Sequence, residues 1–381
     1  MELRPFKAMD LFTWLTSKEP FLILDVRNNE EFGRFKVEGP YPFEMINIPY
    51  VEFIEHEKEC VAKVPKGKRV RIVCAKEGSA KYVGEILKEN GFDDVAYLLT
   101  GIKAWGNLLA PTCIYQENGH ELYQFRRPGK ASCSYGLLCG QEMMVFDPAK
   151  NIDQYQNFAD ERRCVITKTF ETHRQADYIS GSKMLNRETG AEFIAPQPDF
   201  EGARFDYTPA CDGDTYTFKD GGPRVQVLHT PGHTPGSTSY LIDDKYLVSG
   251  DTVFILSIGR PDLGGMAETW SKMLFKTMTE KILPMDDAIT VLPGHYMDWN
   301  EANENLAFVA PLGEIKEKNS HIYQISNESD FFDFVKRNMR QQPEEYAKIR
   351  EINAGLVEVD EDQQDIMDLG KNECAASATH V

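Results

Sequence analysis

Four polar segments, each directly after a β-rich run, constrain the fold of this 381-residue chain more than any other feature. They set histidine or aspartate among glycine, proline and threonine, and they span residues 171–181, 229–237, 248–251 and 292–296. Polar residues that follow strands lie on loops, and loops along the edge of a rigid sheet can bring distant residues together. A lone histidine in such a loop is usually an ordinary packed residue. Two histidines and an aspartate in four such loops instead predict a shared site.

The pattern of apolar and polar residues changes near residue 108. Strand-length apolar runs alternate with helical stretches in residues 1–108, which predicts an α/β domain with a mostly parallel sheet. Residues 109–120 lose this periodicity and are expected to be a linker. Short strands with frequent turns dominate residues 121–310, where Asp243-Asp244 predicts a hairpin turn. Helix formers dominate residues 311–381, so we expect a helical C-terminal extension there.

Composition and charge limit the partners. The formal net charge is −18, from 60 acidic and 42 basic residues, and this argues against nucleic acid, whose phosphates need a basic surface. The chain lacks a run of ~20 apolar residues and a secretory signal, so we expect a cytoplasmic protein with no membrane partner. There the eight cysteines are expected to be thiols. The sequence leaves the oligomeric state open, a homo-oligomer included.

Cys74 is the candidate nucleophile of the first domain. It ends a predicted strand, and Ala75-Lys-Glu-Gly-Ser79 follows before a helix begins. A thiol in this position faces the amides and the positive end of the helix dipole, which favours the thiolate. Lys76 and Lys81 are expected to strengthen that field. A buried structural cysteine is the alternative interpretation.

Four stretches of the first domain are informative together: Leu24-Asp25-Val26-Arg27, Ile46-Asn47-Ile48-Pro49, the Cys74 loop and Gly101-Ile-Lys-Ala-Trp105. With these stretches, residues 5–108 resemble the rhodanese family of sulfurtransferases. The resemblance implies that Cys74 accepts a sulfane sulfur and that residues 75–79, Lys76, Gly78 and Ser79 among them, cradle the persulfide. Gly78 stands one place later than the family's glycine, and Ser79 replaces its arginine, which leaves the sulfur donor open. Asp25 and Arg27 are expected to form a structural pair.

The four polar segments, in this order and spacing, resemble the metallo-β-lactamase superfamily over residues 121–310. The resemblance implies an αββα sandwich for this domain. Within the superfamily, Gly259-Arg-Pro-Asp-Leu-Gly-Gly265, just after Asp251, is similar to the persulfide dioxygenases, with glyoxalase II as the neighbouring family.

The superfamily's metal motif, His-x-His-x-Asp-His, is incomplete here. His173 and Asp177 match it, whereas Gln175 and Tyr178 replace its other two histidines. The second metal position would keep Asp177 together with Asp251 and His295. A phenol with a pKa of about 10 is a poor substitute for imidazole, so we predict that this position holds no metal. Asp177, His295 and Gln175 are instead expected to orient polar groups around the first position.

By the same resemblance, the first position has an iron-ligand set of His173, His233 and Asp251. Two histidines and one carboxylate leave about three octahedral positions open, as in non-haem Fe(II) oxygenases. The predicted cofactor is one Fe(II) per chain, with zinc as the alternative. Arg260 is expected to bind a substrate carboxylate such as that of glutathione, with Tyr296 beside it.

Together these features predict a bifunctional enzyme of sulfide detoxification. Cys74 would move sulfane sulfur, and the iron centre would oxidise a low-molecular-weight persulfide with O2 to sulfite. A zinc thioester hydrolase of the glyoxalase II type stays open as an alternative, as does a metal-free module for sulfur relay. Cys374 is expected to be a packed or inert cysteine, near a C-terminus of the kind that is usually mobile.

Overall fold

The computed structural model describes residues 3–376, which fall into two compact units. The first unit is formed by residues 3–110, with short pieces at 127–130 and 369–371. The second unit contains the other described residues. Among the described residues, no helix has the length and apolarity needed to cross a membrane. The last five residues of the expected C-terminal extension, 377–381, lie outside the described part.

The first unit has the expected α/β architecture. Within residues 3–110 the strands are β1 (Arg4–Phe6), β2 (Leu22–Asp25), β3 (Glu44–Asn47), β4 (Val70–Val73) and β5 (Val95–Leu98). They form one sheet in the order β1-β5-β4-β2-β3, and each neighbouring pair is parallel. β2 and β4 are buried along their whole length, as expected of central parallel strands.

Helices follow the strands of the first unit in the alternation that the sequence predicts. They are α1 (Ala8–Thr16), α2 (Asn29–Arg34), α3 (Tyr50–Glu55), α4 (Glu57–Lys63), α5 (Glu77–Glu89) and α6 (Ile102–Gly106). The apolar residues at helical spacing in α5, Val83, Ile86 and Leu87, are buried. This amphipathic face packs with the strand residues in one core.

The second unit contains two sheets. Its described strands are β6 (Ala110–Glu117), β7 (His120–Arg127), β8 (Ser132–Cys139), β9 (Glu142–Phe146), β10 (Val165–Phe170), β11 (Glu192–Ala195), β12 (Thr208–Pro209), β13 (Thr215–Tyr216), β14 (Val225–His229), β15 (Thr238–Ile242), β16 (Tyr246–Gly250), β17 (Thr290–Pro293) and β18 (Ala310–Pro311). One sheet runs from β12 back to β6 in reverse chain order, and the other runs from β13 to β18 in chain order. Aromatic rings from both sheets pack together in the core, where the ring centroids of Phe170 in β10 and Tyr240 in β15 are 5.1 Å apart.

Helices and short helical turns complete the second unit. The described helices are α7 (Ile152–Glu161), α8 (Ser182–Thr189), α9 (Gln197–Phe200), α10 (Ala267–Thr277), α11 (Leu312–Lys318), α12 (Ser320–Tyr323), α13 (Glu328–Asn338), α14 (Glu345–Asn353) and α15 (Glu361–Met367). A π-helical turn at Met278–Ile282 and a 3-10 turn at Trp299–Glu301 accompany them. The helices from α11 onward confirm that the region after residue 310 is largely helical.

Residues 109–120 differ from the expected linker. Most of them form the edge strand β6 and the start of β7. Ile114 and Tyr115 pack against the core of the second unit, and the ring of Tyr115 stacks on Tyr246 with centroids 4.8 Å apart. An edge strand has only one neighbouring strand and stays half-exposed, which explains its weak hydrophobic pattern.

The turn at Asp243-Asp244 agrees with the prediction. Both residues have positive φ, 49° and 55°, and they connect the antiparallel pair β15 and β16. This backbone conformation suits the twist of a tight hairpin.

The strand ends position the four polar segments. These segments begin at the carboxyl ends of β10, β14, β16 and β17. β16 and β17 are parallel neighbours, and Gly250 pairs in register with Pro293. Asp251 and His295 are therefore delivered to the same edge of one sheet.

Candidate functional site

Three buried side chains in the second unit form a compact cluster of metal-binding groups. His173, His233 and Asp251 each offer one ligand atom, and these atoms lie within 4.8 Å of one another. Nε2 of His233 is 3.4 Å from Asp251 Oδ2, and Nε2 of His173 is 3.8 Å from the same oxygen. The structure thus brings together the three residues that the sequence assigns to the first metal position.

The neighbours of the two histidines fix which ring nitrogen faces the cluster. His233 Nδ1 lies 2.9 Å from the carbonyl oxygen of Arg260, which can only accept, so Nδ1 carries the proton. His173 Nδ1 lies 2.9 Å from Thr172 Oγ1, and that hydroxyl donates its own proton to Asp147. Both Nε2 atoms therefore keep a lone pair toward Asp251, as in metal-bound histidines.

Two atoms of the cluster have no hydrogen-bond partner among the described residues. They are His173 Nε2 and Asp251 Oδ2, both fully buried. A buried polar atom without a partner is destabilising, and a bound cation would satisfy both. The residues present therefore fit a metal ion.

Protonation in the cluster also suits a cation. Burial lowers the pKa of His233 to about 4, so its ring is neutral at physiological pH. Burial on its own raises the pKa of Asp251, but the positive charge of His295 and a hydrogen bond from that ring bring it below the usual range. The cluster thus offers a neutral imidazole beside an ionised carboxylate.

His295 links two carboxylates beside this cluster. Its Nδ1 lies 2.8 Å from Asp251 Oδ1, and its Nε2 lies 2.9 Å from Asp177 Oδ2. Burial would lower the pKa of His295, but the charges of Asp177 and Asp251 raise it to about 10. With no metal bound, His295 is an imidazolium that holds both carboxylates in place.

Gln175 and Tyr178, which replace the superfamily's histidines, are both buried. The Tyr178 hydroxyl donates to the carbonyl oxygen of Asp147 at 3.3 Å, and burial raises its pKa well above the usual value. The phenol therefore stays protonated and bound to the backbone. Gln175 Oε1 has no hydrogen-bond partner among the described residues.

Arg260 is held by protein groups, in contrast to the expected contact with a substrate carboxylate. Its guanidinium donates to both carboxylate oxygens of Asp262, at 2.8 and 2.6 Å, and to the carbonyls of Arg340 and Glu373. These contacts occupy most of its donors and weaken the substrate prediction. Tyr296 also lies inside the core, where its ring stacks on Phe308 with centroids 3.4 Å apart.

Cys374 is packed, as one of the two expectations for it had it, but it lies beside the candidate metal cluster and not in a mobile tail. Its side chain is buried, and its sulfur lies within 4.8 Å of the ligand atoms of Asp177 and His295. Sequence reasoning missed this position because the contact joins residues far apart in the chain. The sequence shows that a cysteine is present at position 374, but the residues next to it do not indicate which distant residues it contacts.

The Cys74 loop of the first unit resembles the expected persulfide cradle in part. The Cys74 sulfur interacts with the amides of Ala75 and Lys76 and with the Ser79 hydroxyl. Burial nevertheless raises the pKa of Cys74 above its usual value, so the expected preference for thiolate is wrong in the resting loop.

Other residues around the loop have defined places. Gly78 and Ser79 lie in the first turn of α5. Lys81 pairs with Glu77 at 2.7 Å, which offsets the positive field expected from that lysine. Asp25 and Arg27 form the predicted structural pair: Nε and Nη2 of Arg27 donate to the two carboxylate oxygens of Asp25, and both side chains are buried.

Comparisons with known proteins agree with this two-part organisation. Residues 11–108 match the rhodanese-like domain family, and residues 166–307 match the metallo-beta-lactamase superfamily. A hydroxyacylglutathione hydrolase from Brucella ovis is 30% identical over 209 residues, which cover 51% of this chain and 74% of the relative. Against several other curated hydroxyacylglutathione hydrolases, the match spans about half to two thirds of their length.

Solved structures show the same fold in the second unit. A metallo-beta-lactamase from Staphylococcus aureus is 29% identical with a TM-score of 0.55, covering 62% of this chain and 73% of that one. ETHE1 from Myxococcus xanthus is 23% identical with a TM-score of 0.53, covering 61% of this chain and 98% of that one, and this level of identity shows the fold alone. With the buried histidine and aspartate cluster at its strand ends, the chain belongs to the metallo-β-lactamase superfamily and carries an N-terminal rhodanese-like domain.

Proposed function

We propose that this chain is a bifunctional sulfur enzyme, a cysteine sulfurtransferase joined to a mononuclear Fe(II) persulfide dioxygenase. The dioxygenase would convert a low-molecular-weight persulfide, such as glutathione persulfide, together with O2 and water to sulfite and the free thiol, with O2 as the oxidant and the S–S bond broken. The observation that carries the proposal is the convergence of His173, His233 and Asp251 without the imidazoles that a two-zinc site takes from positions 175 and 178. Two histidines and one carboxylate are the ligand set of non-haem iron oxygenases.

Iron bound by these three residues would supply adjacent positions for O2 and a persulfide sulfur. The chain's own groups would orient that chemistry. The Arg260 carbonyl and the Thr172 hydroxyl hold the two imidazole rings with Nε2 toward Asp251. Gln175 Oε1 is available to accept a hydrogen bond from water or substrate. His295 keeps its two protons between Asp177 and Asp251 and so fixes the orientation of Asp251.

Cys74 would carry the transferred sulfur in the first unit. Its thiolate would attack the sulfane sulfur of a donor, and the donor's remaining group would leave with the bonding electron pair. The amides of Ala75 and Lys76 and the Ser79 hydroxyl face the sulfur and would stabilise the anionic end of the persulfide. A second thiol would then remove that sulfur and regenerate Cys74.

A zinc thioester hydrolase of the glyoxalase II type is the second candidate. The similarity to curated hydroxyacylglutathione hydrolases favours it. Such a site uses two metal positions, and Gln175 and Tyr178 remove imidazoles from them. A metal-free module that serves the first unit in sulfur relay is the third candidate, and the two unsatisfied buried atoms of the cluster argue against it.

Metal analysis of protein purified without oxygen separates these candidates. We expect about one iron per chain, together with O2 uptake on addition of glutathione persulfide. Zinc near two per chain with hydrolysis of S-lactoylglutathione would overturn the proposal in favour of the hydrolase. Protein that binds neither metal would overturn it in favour of the relay module.

A further inference from the structure

Asp199 is a buried carboxylate that contacts the two loops carrying His173 and His233. It belongs to the short helix α9 (Gln197–Phe200), which follows strand β11, and it is 5% exposed. The next residue, Phe200, is buried in a small aromatic cluster that anchors this helix. The backbone of α9 therefore gives the carboxylate a fixed position.

The carboxylate accepts three hydrogen bonds, and all three come from the loops that carry the histidines. Oδ2 accepts from the Arg174 amide at 3.0 Å and from the Thr234 hydroxyl at 2.7 Å. Oδ1 accepts from the Gly236 amide at 2.8 Å. Arg174 directly follows His173, and Thr234 directly follows His233. One side chain thus connects the chain beside both histidines of the metal cluster.

These contacts require a carboxylate at position 199. All three partners are donors, and an ionised carboxylate is an acceptor only, whereas an asparagine amide has one oxygen and an NH2 group that would face a donor. Burial of a charge is unfavourable unless the charge is hydrogen-bonded. None of the described lysines or arginines forms an ion pair with Asp199, so the loops supply the stabilising contacts. The buried charge and the two loops therefore stabilise each other.

Gly236 allows the carboxylate to approach the second loop. A Cβ atom at position 236 would lie 2.6 Å from both Cγ and Oδ1 of Asp199, which is too close for any side chain. Glycine is therefore required here for the close approach of two groups.

The backbone around His173 is held on both sides. On one side the Thr172 carbonyl accepts from the Thr238 amide at 2.8 Å, and on the other side Arg174 donates to Asp199. Loss of the Asp199 contact would release only the second side. We therefore expect a variant at position 199 to fold and to show its effect mainly in these loops.

We propose that Asp199 is a positioning residue for the first metal position and holds the loops of His173 and His233 at a fixed spacing. It contacts neither imidazole ring, so it acts through the backbone of the two loops. Contacts that orient metal ligands contribute roughly 10–100-fold to metal affinity. The inference rests on the proposed function and deepens it, because it names a residue that sets how tightly the iron would bind.

Titration of the metal-free full-length chain with Co2+ tests this role. We expect Asp199→Asn to bind Co2+ about tenfold or more weakly than the wild type. Gly236→Ala keeps the charge but displaces the carboxylate, so it should weaken Co2+ binding as well. Asp333→Asn, at an aspartate whose side chain is 59% exposed, is the control and should keep the wild-type affinity. Equal affinity of Asp199→Asn and the wild type overturns the proposal.

A double-mutant cycle tests whether the effect passes through the hydrogen bonds. Thr234→Val removes only the hydroxyl contact, so its loss of Co2+ affinity should be smaller than that of Asp199→Asn. The double variant should bind Co2+ as Asp199→Asn does, because both substitutions remove the same hydrogen bond. Fully additive losses overturn the proposed contact. Thr234→Val also supplies the comparison with the wild type if Asp199→Asn does not fold.

Hydrogen exchange of the metal-free chain separates this inference from the proposed function. Asp199→Asn should accelerate amide exchange in residues 173–176 and 233–237 and leave strands β8 and β9 unchanged. Unchanged loops, or faster exchange in the strands as well, overturn the positioning role. A wild type that binds no metal refutes the proposed function, while the exchange result still decides the role of Asp199. A wild type that binds iron no more tightly than Asp199→Asn refutes the positioning role alone.

Discussion

Replacing Arg260 by alanine distinguishes an anchoring role from a substrate-binding role. The Arg260 side chain is 2% exposed, and the carboxylate that it binds, on Asp262, is 7% exposed. The alanine variant leaves Asp262 buried without its partner, which costs ~3–5 kcal/mol of folding free energy. It also removes donors from the carbonyls of Arg340 and Glu373, and the second of these belongs to the docked C-terminal segment, residues 372–376, which pairs with residues 258–260.

This loss of free energy should appear as a large shift in thermal unfolding. One kcal/mol corresponds to about 2–4 °C for a domain of 150–250 residues, so the second unit of Arg260→Ala should melt ~6–20 °C below the wild type. Calorimetry is the suitable assay, because it resolves the transitions of two units. Arg187→Ala is the matched control. The Arg187 side chain is 71% exposed and pairs with Glu188, so this variant should change the free energy of unfolding by no more than about 0.5 kcal/mol, and its melting temperature should stay close to that of the wild type.

Steady-state kinetics test the alternative role, in which Arg260 binds the carboxylate of the persulfide substrate. In that case the alanine variant would have a KM about tenfold higher or more, because a charged hydrogen bond contributes ~1.5–3 kcal/mol. A variant that melts with the wild type while KM rises in this way would refute the anchoring role. Arg260→Lys should recover only part of the lost stability, because an ammonium cannot reproduce the planar two-point contact with Asp262.

Three further outcomes are expected. Cys74→Ser should abolish sulfur transfer to thiols and leave O2 uptake with preformed glutathione persulfide largely intact; a folded variant that loses both activities would contradict two separate sites. Alkylation of Cys74 by iodoacetamide should accelerate with pH through a midpoint above that of free cysteine, about 8.5, because burial raises its pKa; Ser79→Ala should move the midpoint higher still, since the hydroxyl lowers that pKa. Gly259→Ala should lower bound metal, because the new methyl group would collide with the Asp251 carbonyl; Gly33→Ala, where the space is open, is the control, and equal metal content in both would argue against this packing.

Local patterns predicted local structure well. The apolar run before Cys74 is strand β4, and the helical spacing after it is α5, because burial of one face imposes its period on the sequence. The hairpin at Asp243-Asp244 could also be predicted, since few residue pairs accept positive φ at both positions. The family resemblance pointed to His173, His233 and Asp251, and each of these residues lies in a loop at a strand end, after β10, β14 and β16 respectively.

Features that depend on distant contacts could not be predicted from the sequence. Edge strand β6 owes its structure to a neighbouring strand and to packing on Tyr246, and its own sequence is weakly patterned. Arg260 has the residue type expected for a substrate contact, and only the folded chain shows its carboxylate partner. Cys374 reaches the metal cluster through pairing with residues 258–260, and no local pattern encodes that pairing.

The docked C-terminal segment also imposes an order on biosynthesis. A ribosome delivers residues from the N-terminus onward, and the domains of a growing chain generally fold in that order. His173, His233, Asp251 and His295 are all made before Cys374. The nascent second unit can therefore gather its histidines while the thiol is still missing, and the loop around Gly259 receives its pairing partner last. Metal acquired during translation would therefore meet a centre whose Gly259 loop still lacks this pairing.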